Sequence, residues 1–141
     1  QPCWVRGRRL DLEIIFRNLI DNAVKYAGQP PQVEVTAGPG GPEEVVVQVA
    51  DNGRGIPFHL RRRIFRRFER LGMELERDKP GTGLGLYIVR TLLQRLRGRV
   101  HVRYPKAGPG TVFEVRLPGH PPAEEPVPTD AEAAEVAASK G

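Results

Sequence analysis

The stretch Gln32 to Ala50, QVEVTAGPGGPEEVVVQVA, decides the fold class. Val33 and Val35 share one face of Gln32–Ala37, and Val45, Val47 and Val49 alternate in the same way through Glu44–Ala50. Period-two alternation is the signature of a half-buried strand. The Gly38-Pro39-Gly40-Gly41-Pro42 link is built of turn formers, so the two segments read as an antiparallel hairpin.

On the N-terminal side, Leu10 to Ala27 is helical. Leu12, Ile15, Phe16, Leu19, Ile20, Ala23, Val24 and Ala27 fill one broad arc at about 100° per residue, and Gly28 with Pro30 stops the helix. On the C-terminal side, Phe58 to Leu71 has a helical pattern with Leu60, Ile64, Phe65, Phe68 and Leu71 on one side. Residues 72–82 have little periodicity and read as a loop. Leu84 to Leu96 is an apolar helix ended by Gly98 at C′. Val100, Val102 and Tyr104 then alternate, as do Phe113, Val115 and Leu117, with a Pro/Gly turn between the two runs. Strands that come in neighbouring pairs predict an α+β two-layer sandwich, one mixed sheet covered on one face by helices, and argue against a doubly wound parallel fold.

Composition narrows the function classes. At 141 residues the chain is one domain's worth, able to bury roughly two-thirds of its unfolded surface. Its formal charge is +5, but Glu124, Glu125, Asp130, Glu132 and Glu135 against Lys140 leave the C-terminal stretch at −4 and residues 1–118 at +9. From Gly119 onward little can be buried, so 119–141 reads as a disordered acidic Pro/Ala-rich tail, with at most a marginal helix at Asp130–Ala138. The boundary is therefore set at 118. A single cysteine, Cys3, excludes an internal disulfide and a cysteine metal cage, and reads as a small hydrophobe. No run of 18 apolar residues is present, nor a signal-peptide core, which points to a cytoplasmic location without membrane contact.

Three polar features sit on this frame. Asn18, Asn22 and Lys25 lie at i, i+4 and i+7 beside the apolar arc. They are either an ordinary solvated face or, since an amide oxygen ligates Mg²⁺ and an ammonium meets phosphate, a ligand stripe. Asp51-Asn52-Gly53-Arg54-Gly55-Ile56-Pro57 follows a buried-looking strand. It is either a plain turn or a carboxylate set to accept from an exocyclic amino group, with glycines that let backbone approach a flat ligand. Pro80-Gly81-Thr82-Gly83-Leu84-Gly85-Leu86 opens a helix, where unpaired N–H groups favour phosphate, yet it fits neither the Walker A nor the dinucleotide fingerprint.

In this order and spacing the features resemble the catalytic, ATP-binding domain of sensor histidine kinases, the Bergerat-fold nucleotide binders. Asn18 to Tyr26 is similar to that family's N box, Asp51 to Pro57 to its first glycine box, Ile64 to Arg70 to its phenylalanine box and Gly81 to Leu86 to its second glycine box. The resemblance covers roughly residues 5–118. It implies that Asn22 holds Mg²⁺ with Asn18 in support, that Lys25 meets the phosphates, and that Tyr26 packs near the base or ribose. Asp51 would accept from the adenine amino group in a pocket shaped by Gly53, Gly55 and Ile56. Gly81, Thr82, Gly83, Leu84, Gly85 and Leu86 would present the triphosphate to the helix. Arg70 would be the γ-phosphate cation, and residues 58–82 an ATP lid tethered by Phe65 and Phe68. Asn18, Lys25 and Arg70 would be the catalytic set.

The resemblance further implies ATP and Mg²⁺ as cofactors and donation of the γ-phosphoryl group to a histidine on a dimerisation domain, with a response regulator as the indirect partner. Asn18 stands where ATP-hydrolysing relatives carry a glutamate base, so fast hydrolysis is disfavoured. His59, His101 and His120 lack the context of a phosphoacceptor. With nine residues before Leu10, the chain reads as an excised, monomeric fragment that binds ATP and Mg²⁺ without autophosphorylating. Arg6-Gly7-Arg8-Arg9 stands where many relatives carry an acidic residue, which bears on docking to the dimerisation helices. Among the six arginines from Arg61 to Arg70, Arg62, Arg63 and Arg66 read as a solvated face. Without interleaved aromatics they predict no nucleic-acid partner. The alternative reading is a non-catalytic nucleotide-sensing module of the same fold.

Overall fold

The computed structural model describes residues 2–66, 85–120 and 133–137. Its elements are β1 (Pro2–Arg6), α1 (Arg9–Tyr26), β2 (Val33–Gly41), β3 (Glu44–Asp51), two short 3-10 turns (Phe58–Leu60 and Arg63–Phe65), α2 (Gly85–Arg95), β4 (Arg99–Arg103), β5 (Thr111–His120) and β6 (Ala133–Ala137). The strands form one sheet in the order β2-β3-β5-β1-β6, with β4 paired to β5. Helices α1 and α2 pack side by side, and α1 lies over β3. This is the expected two-layer α+β sandwich.

Side-chain period builds the core. Along β3 the burial alternates strictly, with Val45, Val47, Val49 and Asp51 facing in. Phe113, Val115 and Leu117 of β5 are buried beside them, although on this central strand Val112 and Glu114 of the other face are buried as well. From the helices come Leu12, Ile15, Leu19 and Ala23 of α1 and Val89, Leu92 and Leu93 of α2. The register Val49↔Phe113 and Asp51↔Thr111 carries this inward face to the end of the ladder, where the last member is a carboxylate instead of a valine.

Several features depart from expectation. Every ladder among the described residues is antiparallel, so the sheet is not mixed: hairpins supply β2–β3 and β4–β5, and β3 meets β5 head to tail. The glycine-rich link is mostly strand, because β2 continues to Gly41 and leaves only Pro42 and Glu43 as the turn. Between Phe58 and Arg66 the chain forms 3-10 turns instead of the start of a long helix, although Ile64 and Phe65 are buried as the periodicity requires. Val24 is 61% exposed, since the arc drawn for α1 is wider than the surface it packs on.

The boundary at 118 falls inside β5, and the stretch read as disordered contributes two ladders. Gly119 and His120 pair with Val5 and Trp4, and Ala133–Ala137 pairs with the far edge of β1. Hydrophobicity could not foretell this, because an open strand edge recruits a partner through its backbone groups alone.

Helix α2 also ends differently from the expected Gly98 cap. Arg97 takes the left-handed conformation (φ 60°), and the Gly98 N–H donates to the Leu93 carbonyl at 2.7 Å. These are the marks of a Schellman closure with Arg97 at C′. Gly98 is needed for space, since a Cβ there would stand 2.7 Å from Leu117 Cδ2 and 2.8 Å from the Arg116 carbonyl.

Candidate functional site

One end of the sandwich gathers the polar motifs. Asp51 closes β3 between Val33 of β2 and Thr111 of β5 and is only 7% exposed. Its Oδ1 accepts from the Gly53 N–H at 2.7 Å. Burial pushes the Asp51 carboxyl above its ordinary 3.8, against the pull of the Gly53 and Thr111 backbone N–H groups. A buried carboxylate held at a strand end, with backbone donors on one side, is a polarised acceptor.

The glycines beside it are dictated by space. A Cβ on Gly53 would overlap the Tyr26 carbonyl, so the last turn of α1 and the Asp51–Gly53 turn are in backbone contact. Gly55 has φ +84°, and a Cβ there would crowd the Gly110 carbonyl and the Tyr104 ring, each at 2.9 Å. Gly110, at φ +139°, lies against the Asp51 carbonyl from the other side. Ile56 packs on the core edge. The base-pocket residues named from the sequence, Asp51, Gly53, Gly55 and Ile56, are therefore brought together.

Helix α1 supplies the second wall. Asn18, Asn22, Lys25 and Tyr26 are all half-buried. Asn18 Nδ2 donates to the Ile14 carbonyl one turn back at 2.8 Å, and its Oδ1 stands 3.1 Å from where a Gly85 Cβ would be. A side chain at the first position of α2 would crowd that amide oxygen, which would have to give by a few tenths of an ångström. The N box and the end of the second glycine box thus meet at the N-terminus of α2, with Leu86 packed on the core. Lys25 Nζ sits 5.3 Å from the centroid of the Tyr26 ring, which orients the cation at the helix end.

Phe65 is buried and meets Phe113 edge-to-face at 6.2 Å and 84°, anchoring the phenylalanine-box segment to β5. The expectations for Phe68, Arg70, Gly81, Thr82, Gly83 and Leu84 lie outside the described residues. Arg62, Arg63 and Arg66 are exposed, as a solvated face requires. A separate cleft of about 820 Å³, lined among others by Arg6, Arg8, Asp11, Glu43, Arg95 and Arg97, contains none of the motif residues.

Two residues escaped sequence reasoning. Asn52 Oδ1 accepts from the backbone N–H groups of Gly28 (2.8 Å) and Gln32 (3.0 Å), and its Nδ2 donates to the Pro30 carbonyl (2.8 Å). Arg61 donates to the Ile56 and Val102 carbonyls, each at 3.1 Å, and its guanidinium lies 4.5 Å from the Tyr104 ring centroid. Arg61 adjoins a run of arginines in the sequence, and only its contact with β4 distinguishes it. Asn52 carried a signal, since Asn in an Asp-Asn-Gly turn readily bonds backbone, but its partners lie 20 or more residues away.

Among the described residues no group of three His, Cys, Asp or Glu side chains could hold a metal. A cation here would depend on amide oxygens, on water and on the oxygens of its ligand, since Mg²⁺ at a phosphate site keeps several waters and takes phosphate oxygens as ligands. Among the described residues, no helix is long and apolar enough to cross a membrane.

Comparison with known proteins agrees with this geometry. Residues 7–121 match the family described as "Histidine kinase-, DNA gyrase B-, and HSP90-like ATPase". The alginate biosynthesis sensor protein KinB of Pseudomonas aeruginosa is 37% identical over 110 residues, 78% of this chain but only 18% of KinB. The mycobacterial sensor histidine kinase MprB has a solved structure that superposes with a TM-score of 0.73 at 34% identity, covering 84% of this chain and 77% of that one. Full-length ShkA, solved in complex with AMPPNP, is similar at a TM-score of 0.66 and 32% identity over 79% of this chain and 22% of ShkA. The chain thus spans less than a fifth of KinB's length and under a quarter of ShkA's. The chain therefore belongs to the histidine kinase-, DNA gyrase B- and HSP90-like ATPase family, with sensor histidine kinases among its matched relatives.

Proposed function

We propose that this domain binds ATP with Mg²⁺ and donates the γ-phosphoryl group to a histidine on the dimerisation domain of a two-component sensor kinase. The observation that carries the reading is Asp51, a carboxylate kept buried at a strand end despite the cost of its charge, beside backbone too close-packed for any side chain at Gly53. A flat base with an exocyclic amino group satisfies that acceptor. Adenine offers one where guanine presents a carbonyl.

The remaining roles follow from the resemblance of the sequence motifs to those of the family. Asn22 is the residue to hold Mg²⁺ through its side-chain oxygen, with Asn18 in support, its Oδ1 set against Gly85 and its Nδ2 committed to Ile14. When bound, the cation neutralises phosphate charge. Lys25, on the same α1 face, meets the phosphates, and Tyr26 packs beside base or ribose. Gly81, Thr82, Gly83, Leu84, Gly85 and Leu86 present backbone N–H groups at the start of α2. Phe65 and Phe68 tether the lid, and Arg70 is its γ-phosphate cation. In transfer, an imidazole nitrogen of the partner bonds to the γ-phosphorus as its bond to the bridging oxygen breaks, and ADP leaves. Neutral imidazole is already a nucleophile, so no base is needed at position 18, where an amide could not act as one. Rate then rests on positioning and charge neutralisation.

The test has two parts. Calorimetry should show Mg²⁺-dependent ATP binding. Asn22→Ala should abolish the Mg²⁺ contribution, and no binding at millimolar ATP would refute the nucleotide reading. With a dimerisation domain supplied in trans and labelled ATP, an acid-labile, base-stable phosphoprotein is expected. Binding without that product would reassign the domain as a nucleotide-sensing module.

A further inference from the structure

Two walls of the site come from segments far apart in sequence. Lys25 and Tyr26 end α1, and Asp51 ends β3. Between them, residues 27–32 leave α1 without regular structure before β2 begins. The distance between the walls is set by tertiary contacts, and beyond the packing of α1 on β3 the structure contains a hydrogen-bonded link. Asn52, next to Asp51, receives the Gly28 and Gln32 N–H groups on one oxygen and gives its amide hydrogen to the Pro30 carbonyl. Asn52 also keeps its backbone in the ladder's continuation, its N–H donating to the Gln32 carbonyl at 3.2 Å. One side chain thus holds both ends and the middle of the connecting loop.

The link is close-packed as well as hydrogen-bonded. A Cβ on Gly28 would stand 2.6 Å from the Asn52 carbonyl and 3.4 Å from its side-chain amide. Immediately beyond, Gly53 presses on the Tyr26 carbonyl. No ligand-facing atom is involved, yet a shift of Asn52 moves Lys25 relative to Asp51.

We propose that Asn52 is a positioning residue of the nucleotide site, setting the phosphate-facing end of α1 at a fixed distance from the base-reading carboxylate. This rests on the reading of the site as an ATP pocket. Its consequence is selective. A ligand that uses only the Asp51 wall is indifferent to the link, whereas one that spans both walls depends on it.

The experiment compares MgATP and adenosine binding by calorimetry in the wild-type chain, Asn52→Ala, Asn52→Ser and Gly28→Ala. Asn52→Ala is expected to weaken MgATP by about tenfold or more while adenosine stays within about twofold. Asn52→Ser, which keeps one acceptor, should recover part of the loss. Gly28→Ala, which pushes the link from its other side and leaves Asn52 intact, should reproduce the selective loss. If Asn52→Ala does not fold, the Ser and Gly28→Ala variants carry the same comparison. Amide exchange at Gly28 and Gln32 should quicken in step with the lost affinity. Equal weakening of both ligands, or none, overturns the proposal. Absence of MgATP binding in the wild-type chain would instead refute the ATP reading itself.

Discussion

At Asp51, stability and recognition pull in opposite directions. Its carboxyl sits above 3.8 because burial outweighs the two backbone hydrogen bonds it accepts. A group whose folded value is raised destabilises the fold at pH values above that raised value. The penalty fades as the pH falls through it toward 3.8. Asparagine is the uncharged isostere of the protonated acid. Asp51→Asn should therefore melt higher than the wild-type chain at neutral pH, and the gap should close on acidification, which thermal melts between pH 7 and pH 4 will read. The same variant should lose preference for adenine over guanine nucleotides, because an amide can present a donor as well as an acceptor. A lower melting point at neutral pH would show that the hydrogen bonds, not desolvation, dominate at this position. Much of this was legible in advance: an Asp at the end of an alternating valine run had to face inward by parity. Asn52 was not, since nothing local in Asp-Asn-Gly names Gly28, Pro30 and Gln32 as its partners.

Among the elements, those with a strong period could be read closely. Helix α1 and the inward faces of β3 and β5 appear where the alternation placed them, and the Asn18 stripe borders the buried face of its helix. The failures lie where edge pairing and tertiary contacts, not local side-chain period, decide. β1 is short, β6 is held by edge pairing to it, and the 3-10 turns after Pro57 answer to contacts such as that of Arg61 with β4. The end of α2 is a smaller case of the same kind. Gly98 looked like the cap because glycine favours positive φ, but packing against β5 claims it, and Arg97 adopts the left-handed turn instead. A side chain at that φ costs about 1 kcal/mol, partly offset in glycine by a more flexible unfolded chain. Arg97→Gly should stabilise the domain by about 0.5 kcal/mol, raising the melting temperature by about 1–3 °C, with MgATP affinity unchanged. A drop in melting temperature would mean that Arg97 makes a compensating interaction through its side chain.

For the whole molecule, the two faces of the sheet divide the work. The inner face is apolar until Asp51, whereas the outer face, away from α1 and α2, is held by a charge network across three strands. Glu114 of β5, only 5% exposed, accepts from Gln48 of β3 at 3.0 Å, from Arg103 of β4 at 3.1 Å and from Arg116 at 3.2 Å. Arg116 in turn reaches Glu44 of β3 at 2.7 Å. Such cross-strand pairs hold β4 and β3 in register on either side of β5, which fixes the strand end that carries Asp51. Burial raises the Glu114 carboxyl, but the bonds from Gln48, Arg103 and Arg116 outweigh it and leave it below its ordinary 4.5. The sign is therefore opposite to that of Asp51: the network contributes stability fully above pH 4.5 and loses it as the pH falls through the depressed value. Glu114→Gln should cost about 1–2 kcal/mol at neutral pH, a figure tempered by the exposure of the arginines. The difference from the wild-type chain should shrink in denaturant titrations taken below pH 4. Because Glu114 lies on the sheet face opposite the site, adenosine affinity should hold at neutral pH as long as the variant is folded. A variant whose stability deficit stayed constant down to pH 3 would show that the pair of acceptor oxygens on Glu114, and not its charge, is what the three strands share.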